Sequence, residues 1–345
     1  MVLKIPPLLR PCAVALLALL LSGCGVTYLA QAARGQLGVM RARQPIDRVI
    51  ARPTTSDTLK NQLERARRMR DFASQQLGLP DNAAYRSYAD IGRRFVVWNV
   101  VATPEFSTAP RQWCFPIAGC VAYRGYFSER AAEAYAATLR QQGDDVLVGG
   151  VSAYSTLGRI ADPLLNTVAG YSELDLAGLI FHELAHQVAW LPGDSSYNEA
   201  FATAVEEEGV ARYAARFATP AALSSWQQRR QLRIEINGLL GAARADLAQL
   251  YRQKLAPGAM RERKAQRLAA LGEAIKTAET RAGRSSGYAA WIEAGLNNAH
   301  LAAIATYYDQ VPHFEQLLRA GCGEYLPCLY VRVRQEARQR LAEAT

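Results

Sequence analysis

The sequence predicts a predominantly α-helical α+β fold: a core with a small β-sheet, to which a long helical hairpin is added. Three observations predict it. From about residue 173 to the C-terminus the apolar residues recur almost entirely with helical spacing, and strand-like runs are confined to the stretch before it. The segment 222–285 carries two long, charged amphipathic patterns divided by Pro257-Gly258, as two antiparallel helices would. Half of the 345 residues are hydrophobic and no low-complexity tail dilutes them, so a sizeable core can form.

At the N-terminus, Lys4 and Arg10 make a weakly basic start, followed by the apolar run Ala13 to Leu21. A run of about nine residues is too short to span a bilayer as a helix. Leu21-Ser22-Gly23-Cys24 follows at once and resembles a lipobox. Residues 1–23 therefore read as a lipoprotein signal peptide, Cys24 as the lipidated residue and 24–53 as a lipid-anchored N-terminal segment. Gly25 rather than Asp follows the cysteine, which favours an outer-membrane destination facing the periplasm.

Residues 54–345 read as one domain. Helices are expected over 28–43, over 54–79, where Gly78 and Pro80 mark the stop, and over 128–142. Phe95 to Ala102 is β-branched and aromatic and reads as a strand closed by Pro104; Asp145 to Val151 reads as another, extended by Ala153 to Gly158. Ser172, with Asp175 three residues on, opens a further helix that Leu191-Pro192-Gly193 stops.

The formal net charge is +9, but the arginines are scattered along helices and not interleaved with stacking aromatics, so nucleic acid is not an expected partner. An anionic membrane surface fits the charge better. Besides Cys12 and Cys24 there are four cysteines. Cys114 with Cys120, and Cys322 with Cys328, each enclose a short loop, and in an oxidising compartment two local disulfides are the natural reading. A four-cysteine metal site would call for tighter paired spacing.

The chemistry is carried by His182-Glu183-Leu184-Ala185-His186. Histidines four apart on a helix project from one face and can chelate a single ion, and Glu183 stands beside the first of them as a base for water. These are two of the chain's four histidines, and their helix is otherwise apolar. A short turn later comes Asn198-Glu199-Ala200-Phe201-Ala202-Thr203, which resembles the helix that carries the third zinc ligand in gluzincins. On that helix Thr203 and Glu206 share a face with Glu199, and either can hold a ligand histidine by hydrogen bond. The alternative for Glu199 is a backbone role, since Ser196-Tyr197-Asn198-Glu199 is also a capping box. Glu207 and Glu208 are expected on a solvated face.

Several segments together resemble one family: Tyr28 to Gln36, Phe115 to Phe127, Tyr154 to Gly158 with Asp162-Pro163-Leu164, the two motifs above, and Asn297-Asn298-Ala299. The chain resembles the Putative aminopeptidase family of proteobacterial envelope lipoproteins over essentially its whole mature length. The resemblance implies a zincin-like core of gluzincin type, with one zinc ion on His182, His186 and Glu199, Glu183 as base, and a peptide as substrate. A donor to the oxyanion is then needed, for which Tyr307 is the first candidate and Tyr154, Tyr288, His300 and Tyr308 the others. An acid for a free substrate amine has Glu173, Asp162 and Glu206 as candidates, and Val146 to Tyr154 can offer an edge that aligns an extended peptide. Two rivals stand beside this reading: a catalytically inactive, partner-binding envelope lipoprotein, and a zinc endopeptidase.

Overall fold

The computed structural model describes residues 23–115, 119–305 and 310–343. Residues 1–22 of the expected signal peptide, and Tyr307 and Tyr308, lie outside the described residues, as does the side chain of Cys24. The chain runs α1 (Gly23–Ala42), β1 (Arg43–Pro45), α2 (Ile46–Ile50), α3 (Asp57–Gln75), β2 (Ser87–Ala89), β3 (Val97–Pro104), β4 (Trp113–Phe115), β5 (Gly119–Val121) and β6 (Arg124–Tyr126). It continues with α4 (Glu129–Gln141), β7 (Asp144–Val151), β8 (Leu164–Leu165), α5 (Asn166–Ala169), α6 (Glu173–Ala185) and α7 (Ser195–Phe217). The remaining elements are α8 (Pro220–Leu250), α9 (Pro257–Ala282), α10 (Ala289–Ala294), α11 (Asn298–Ala305), α12 (Val311–Cys322) and α13 (Leu326–Glu343).

The fold is the expected helical α+β, although its strands divide among three small sheets, ordered β1-β2-β8, β6-β3-β7 and β4-β5. In the last, Cys114 and Cys120 stand directly opposite each other and are disulfide-bonded. The second disulfide, Cys322–Cys328, joins the end of α12 to α13. No helix among the described residues is long and apolar enough to cross a membrane.

The strand expected over Phe95 to Ala102 is shifted to Val97–Pro104 and the first helix starts at Gly23, and three further boundaries differ from expectation for a local reason. The helix expected over 54–79 is shorter: Ser56 caps it by accepting from the Leu59 amide, and Gly78 at φ +68° has already turned the chain. Ala153 to Gly158 does not extend β7. Thr156 bonds the Asp162 carboxylate through its amide (2.8 Å) and hydroxyl (3.0 Å), and Leu157 and Gly158 both take positive φ, which makes a turn. The helix opened by Ser172 ends at Ala185 and not at Leu191. Amide bonds from Gln187 to Leu184 and from Val188 to Ala185 tighten the chain into three-residue turns.

The main core lies where α3, α6, α7, α12 and α13 meet. Phe181, Phe201, Tyr213 and Phe314 are all fully enclosed there. α8 and α9 form the hairpin and build a second core of Leu232, Ile236, Leu247, Leu271 and Ile275. Pro257 starts α9 and a left-handed Gly283 ends it. The hairpin is tied down by charge: Arg229 pairs with Asp175 (2.9 Å), and Lys264 pairs with Asp145 (2.6 Å) and donates to the Glu105 carbonyl (2.8 Å).

The α6–α7 contact depends on a glycine. A Cβ on Gly209 would stand 2.7 Å from Phe181 Cδ2 and 2.8 Å from Leu77 Cδ1, whereas a Cβ on Gly238, in α8, would meet nothing within 4 Å. Alanine gains up to about 1 kcal/mol over glycine in a helix, but overpacking a core costs about 1–3 kcal/mol. Gly209→Ala should therefore lower unfolding free energy by about 1 kcal/mol, while Gly238→Ala raises it by about 0.5–1 kcal/mol. Urea unfolding of the two variants beside the parent reads the opposite signs.

Candidate metal centre

His182 lies in the last turn of α6, and His186 is the residue that closes that helix, at φ −58° and ψ −22°. Because this is still right-handed helical backbone, the two rings stay on one face, 4.8 Å apart between centroids. Their Nε2 atoms both face Glu199 on α7: His182 Nε2 is 3.1 Å and His186 Nε2 3.6 Å from Glu199 Oε2. On its other side His182 Nδ1 lies 3.1 Å from Glu206 Oε2. Of the two residues expected to hold a histidine, Glu206 is the one in contact. Thr203 is buried nearby (4% exposed), and its short side chain makes no hydrogen bond to either ring among the described residues. Glu206 has room because Gly178 lies beneath it, where a Cβ would stand 3.1 Å from Glu206 Oε1.

Glu199 does not serve as a helix cap. α7 begins at Ser195, capped by Asp194, whose Oδ1 accepts from the Tyr197 amide at 2.9 Å. That start places Glu199 inside the helix with its side chain free for the histidines. What fixes the loop that joins α6 to α7 is Asn198, a role that sequence reasoning missed. Only 1% exposed, Asn198 accepts from the Leu191 amide (2.7 Å) and donates to the Leu191 carbonyl (2.8 Å). It closes the connecting loop from both sides, and Arg334 on α13 adds a bond to the Val188 carbonyl (2.9 Å). Its signal was its place, immediately before Glu199 and after a Pro-Gly loop.

The electrostatics call for a cation. Burial pushes the Glu183 carboxyl up. Burial does the same to Glu199 and Glu206, but hydrogen bonds with the histidines outweigh it, bringing Glu199 to about 2 and lowering Glu206. His182, which burial would press down, is raised well above its ordinary value by Glu199 and Glu206. Three carboxylates thus surround two imidazoles away from water, an arrangement that needs positive charge at its centre. The ligand atoms of His182, His186 and Glu199 all lie within 4.8 Å of one another. Tetrahedral zinc with ligands near 2.0–2.1 Å keeps neighbouring ligand atoms about 3.4 Å apart, and the 3.1 and 3.6 Å separations bracket that figure. The donor set fits zinc, and these three residues are able to hold a metal ion.

Glu183, the two histidines and Glu199 form one side of a cavity of about 350 Å³. Its other walls come from α1, β3, the disulfide hairpin, β6 and the turn after β7. Of the expected oxyanion donors, Tyr154 lines this cavity, with its hydroxyl bonded to Gln36. His300 packs on Trp291 and Asn297, and Tyr288 on Trp291; neither lines the cavity. Tyr123 was missed. It follows the disulfide hairpin and stands at the rim, 40% exposed as a residue. Burial, then the charges of Glu199 and Glu183, push its hydroxyl up to about 12.

The expected amine-binding acids are engaged elsewhere. Glu173 is held by Arg68 (2.7 Å) and Tyr213 (2.8 Å), Asp162 by Thr156, and Glu206 by His182. Glu207, expected in solvent, is instead mostly buried and paired with Arg230 of the hairpin; Glu208 pairs with Arg212.

Asn198→Ala would leave the Leu191 amide and carbonyl unpaired in a buried loop, at about 1–3 kcal/mol for each group. The variant should lose about 2–4 kcal/mol of stability in urea unfolding. It should also bind zinc more weakly in a chelator competition, because Glu199 is no longer held opposite His186.

No match is found among curated proteins or among solved structures. A family model described as "Putative aminopeptidase" matches residues 27–344, from the first turns of α1 to the end of α13. That span takes in both motif helices, the cavity walls and the hairpin, and its description points to peptidase chemistry. On this match the chain belongs to the Putative aminopeptidase family.

Proposed function

We propose that the protein is a zinc-dependent peptidase of gluzincin type, held by lipid on Cys24 at the outer membrane and acting on short peptides in the periplasm. The observation that carries the chemistry is the convergence of His182, His186, Glu199 and Glu183 on one cavity wall. The envelope location rests on the apolar run, the lipobox-like tetrad and the two disulfides, which suit an oxidising compartment.

His182, His186 and Glu199 would hold the metal, with Glu206 fixing the tautomer and orientation of His182. A bound zinc ion supplies a Lewis acid that acidifies water and polarises the scissile carbonyl. Glu183 takes the proton from the attacking water and returns it to the leaving amine, and its burial raises its basicity for that task. Tyr123 donates its hydroxyl to the developing oxyanion; Tyr154, committed to Gln36, is less free to do so. The end of β7, at the edge of its sheet, reaches the cavity at Val151, where an extended peptide can pair with it. The family description favours removal of an N-terminal residue, and a comparison of free with N-acetylated peptides separates that from endopeptidase action.

The purified chain should carry about one zinc ion, following the single three-ligand centre, and His186→Ala should lose it. Glu183→Gln should keep the zinc and lose peptide hydrolysis by about 10²–10⁴-fold. Protein that binds no zinc when offered it, or full activity in Glu183→Gln, would sink the proposal and leave a partner-binding lipoprotein in its place.

Tyr123→Phe should lower kcat by about 10²-fold with KM little changed, because a hydroxyl that meets only the oxyanion contributes nothing to ground-state binding. A rise in KM at constant kcat would show instead that Tyr123 only binds substrate.

A further inference from the structure

We propose that the cavity beside the metal centre is a side-chain pocket for a large apolar residue next to the scissile bond, and that Ala32 on α1 sets its depth. The inference rests on the peptidase reading for its substrate class, but the pocket itself is read from its walls.

Val97, Phe115, Val121, Phe127, Val151 and Leu157 supply much of the apolar lining. The polar groups among them are neutral: Asn99, Ser155 and the tyrosines at 28, 123 and 154. Among the described residues no lysine or arginine lines the cavity, and its two carboxylates, Glu183 and Glu199, belong to the metal centre. A charged substrate side chain would leave water without a partner there, whereas an aliphatic or aromatic one gains from every methylene it buries. At about 350 Å³ the space lies at the small end of ligand pockets, which run from about 300 to 1,000 Å³. It suits one large side chain and the backbone beside it.

One wall is the N-terminal helix. Tyr28 and Ala32 are one turn apart on α1 and both face the cavity. Tyr28 is fixed by stacking on Phe115 (5.5 Å) and by the Arg124 guanidinium over its ring (4.2 Å). Gln31 locks the same turn to β6 and the residue after it, donating to the Gly125 carbonyl (3.3 Å) and accepting from the Phe127 amide (3.1 Å). Gly35 lets the helix sit on the Phe127 ring, which any Cβ there would overlap. α1 is therefore held at a set distance, and the smallness of Ala32 leaves open space that a larger residue would fill. Ala33, its neighbour, points to solvent.

The test uses the full chain, purified in detergent and loaded with zinc. Peptides of about three residues that differ only beside the bond (leucine, phenylalanine, alanine, aspartate or lysine) are compared by kcat/KM, and by calorimetric binding to Glu183→Gln. A methylene in an apolar pocket discriminates by about 10–200-fold, so leucine and phenylalanine should exceed alanine at least about 10-fold, and aspartate and lysine by more. Ala32→Phe should collapse the preference for leucine over alanine towards one, Ala32→Gly should keep it, and Ala33→Phe should leave it as in the parent. Equal handling of charged and apolar peptides, an unchanged preference in Ala32→Phe, or no peptide binding at all would overturn the pocket. Selective binding of apolar peptides without any hydrolysis would uphold the pocket and sink the peptidase reading instead.

Discussion

The antiparallel packing of α6 against α7 is the constraint from which the rest of the structure follows. Each helix alone presents an ordinary apolar face, and only their mutual placement turns two histidines and three glutamates into a centre. Closeness comes from small residues at the contact, Gly178 beneath Glu206 and Gly209 beneath Phe181. The loop that joins them is fixed by Asn198 gripping Leu191. Gathering buried carboxylates and imidazoles costs several kcal/mol for each ion. The surrounding core can sustain that: fully burying Phe181, Ile180, Leu184 or Phe201 returns about 1.5–3 kcal/mol for each side chain. The polar cluster is stable because it is the passenger of a large apolar interface.

On the proposed lipid anchor, α1 would connect that centre to the envelope. Its inner face is part of the cavity and of two satellite cores, through Tyr28, Ala32 and Val39. Its N-terminal end carries Cys24. A segment that from sequence looks like a tether is also a wall, so a lipid anchor there would hold the cavity at a short, fixed reach from the membrane and not on a free linker. The hairpin does the opposite job at the far side. Arg229 and Arg230 of α8 neutralise Asp175 and Glu207 on the outer surfaces of α6 and α7, which leaves the inward carboxylates to the centre.

What could be read from sequence divides by distance along the chain. His182, Glu183 and His186 are legible because one helical turn relates them, and Glu199 because a short loop allows little freedom in where the next helix lies. The hairpin and both disulfides are likewise local. Tyr123 and Ala32 were not legible: roughly sixty residues or more separate them from the histidines, and only the seating of β6 and α1 brings them to the cavity. Choices between neighbours of the same chemistry were also out of reach. Asp194 and Ser196 can both cap a helix, and Thr203 and Glu206 share a face; packing at Gly178 and the loop clamp decide each case.

The same carboxylates give the centre two ways to be neutralised. Without a metal, Glu199 and Glu206 favour a proton on His182 from either side, and together they outweigh the burial that presses the other way. A metal held by His182 Nε2 and Glu199 would take the place of that proton, and Glu206 would still be placed to hold His182 through Nδ1. Glu206 would therefore act in both states, and the ring would not need to turn when one cation replaced the other. The α6–α7 interface already orients His182, His186 and Glu199, so the entropy of arranging them would be met during folding and not at the moment a metal bound.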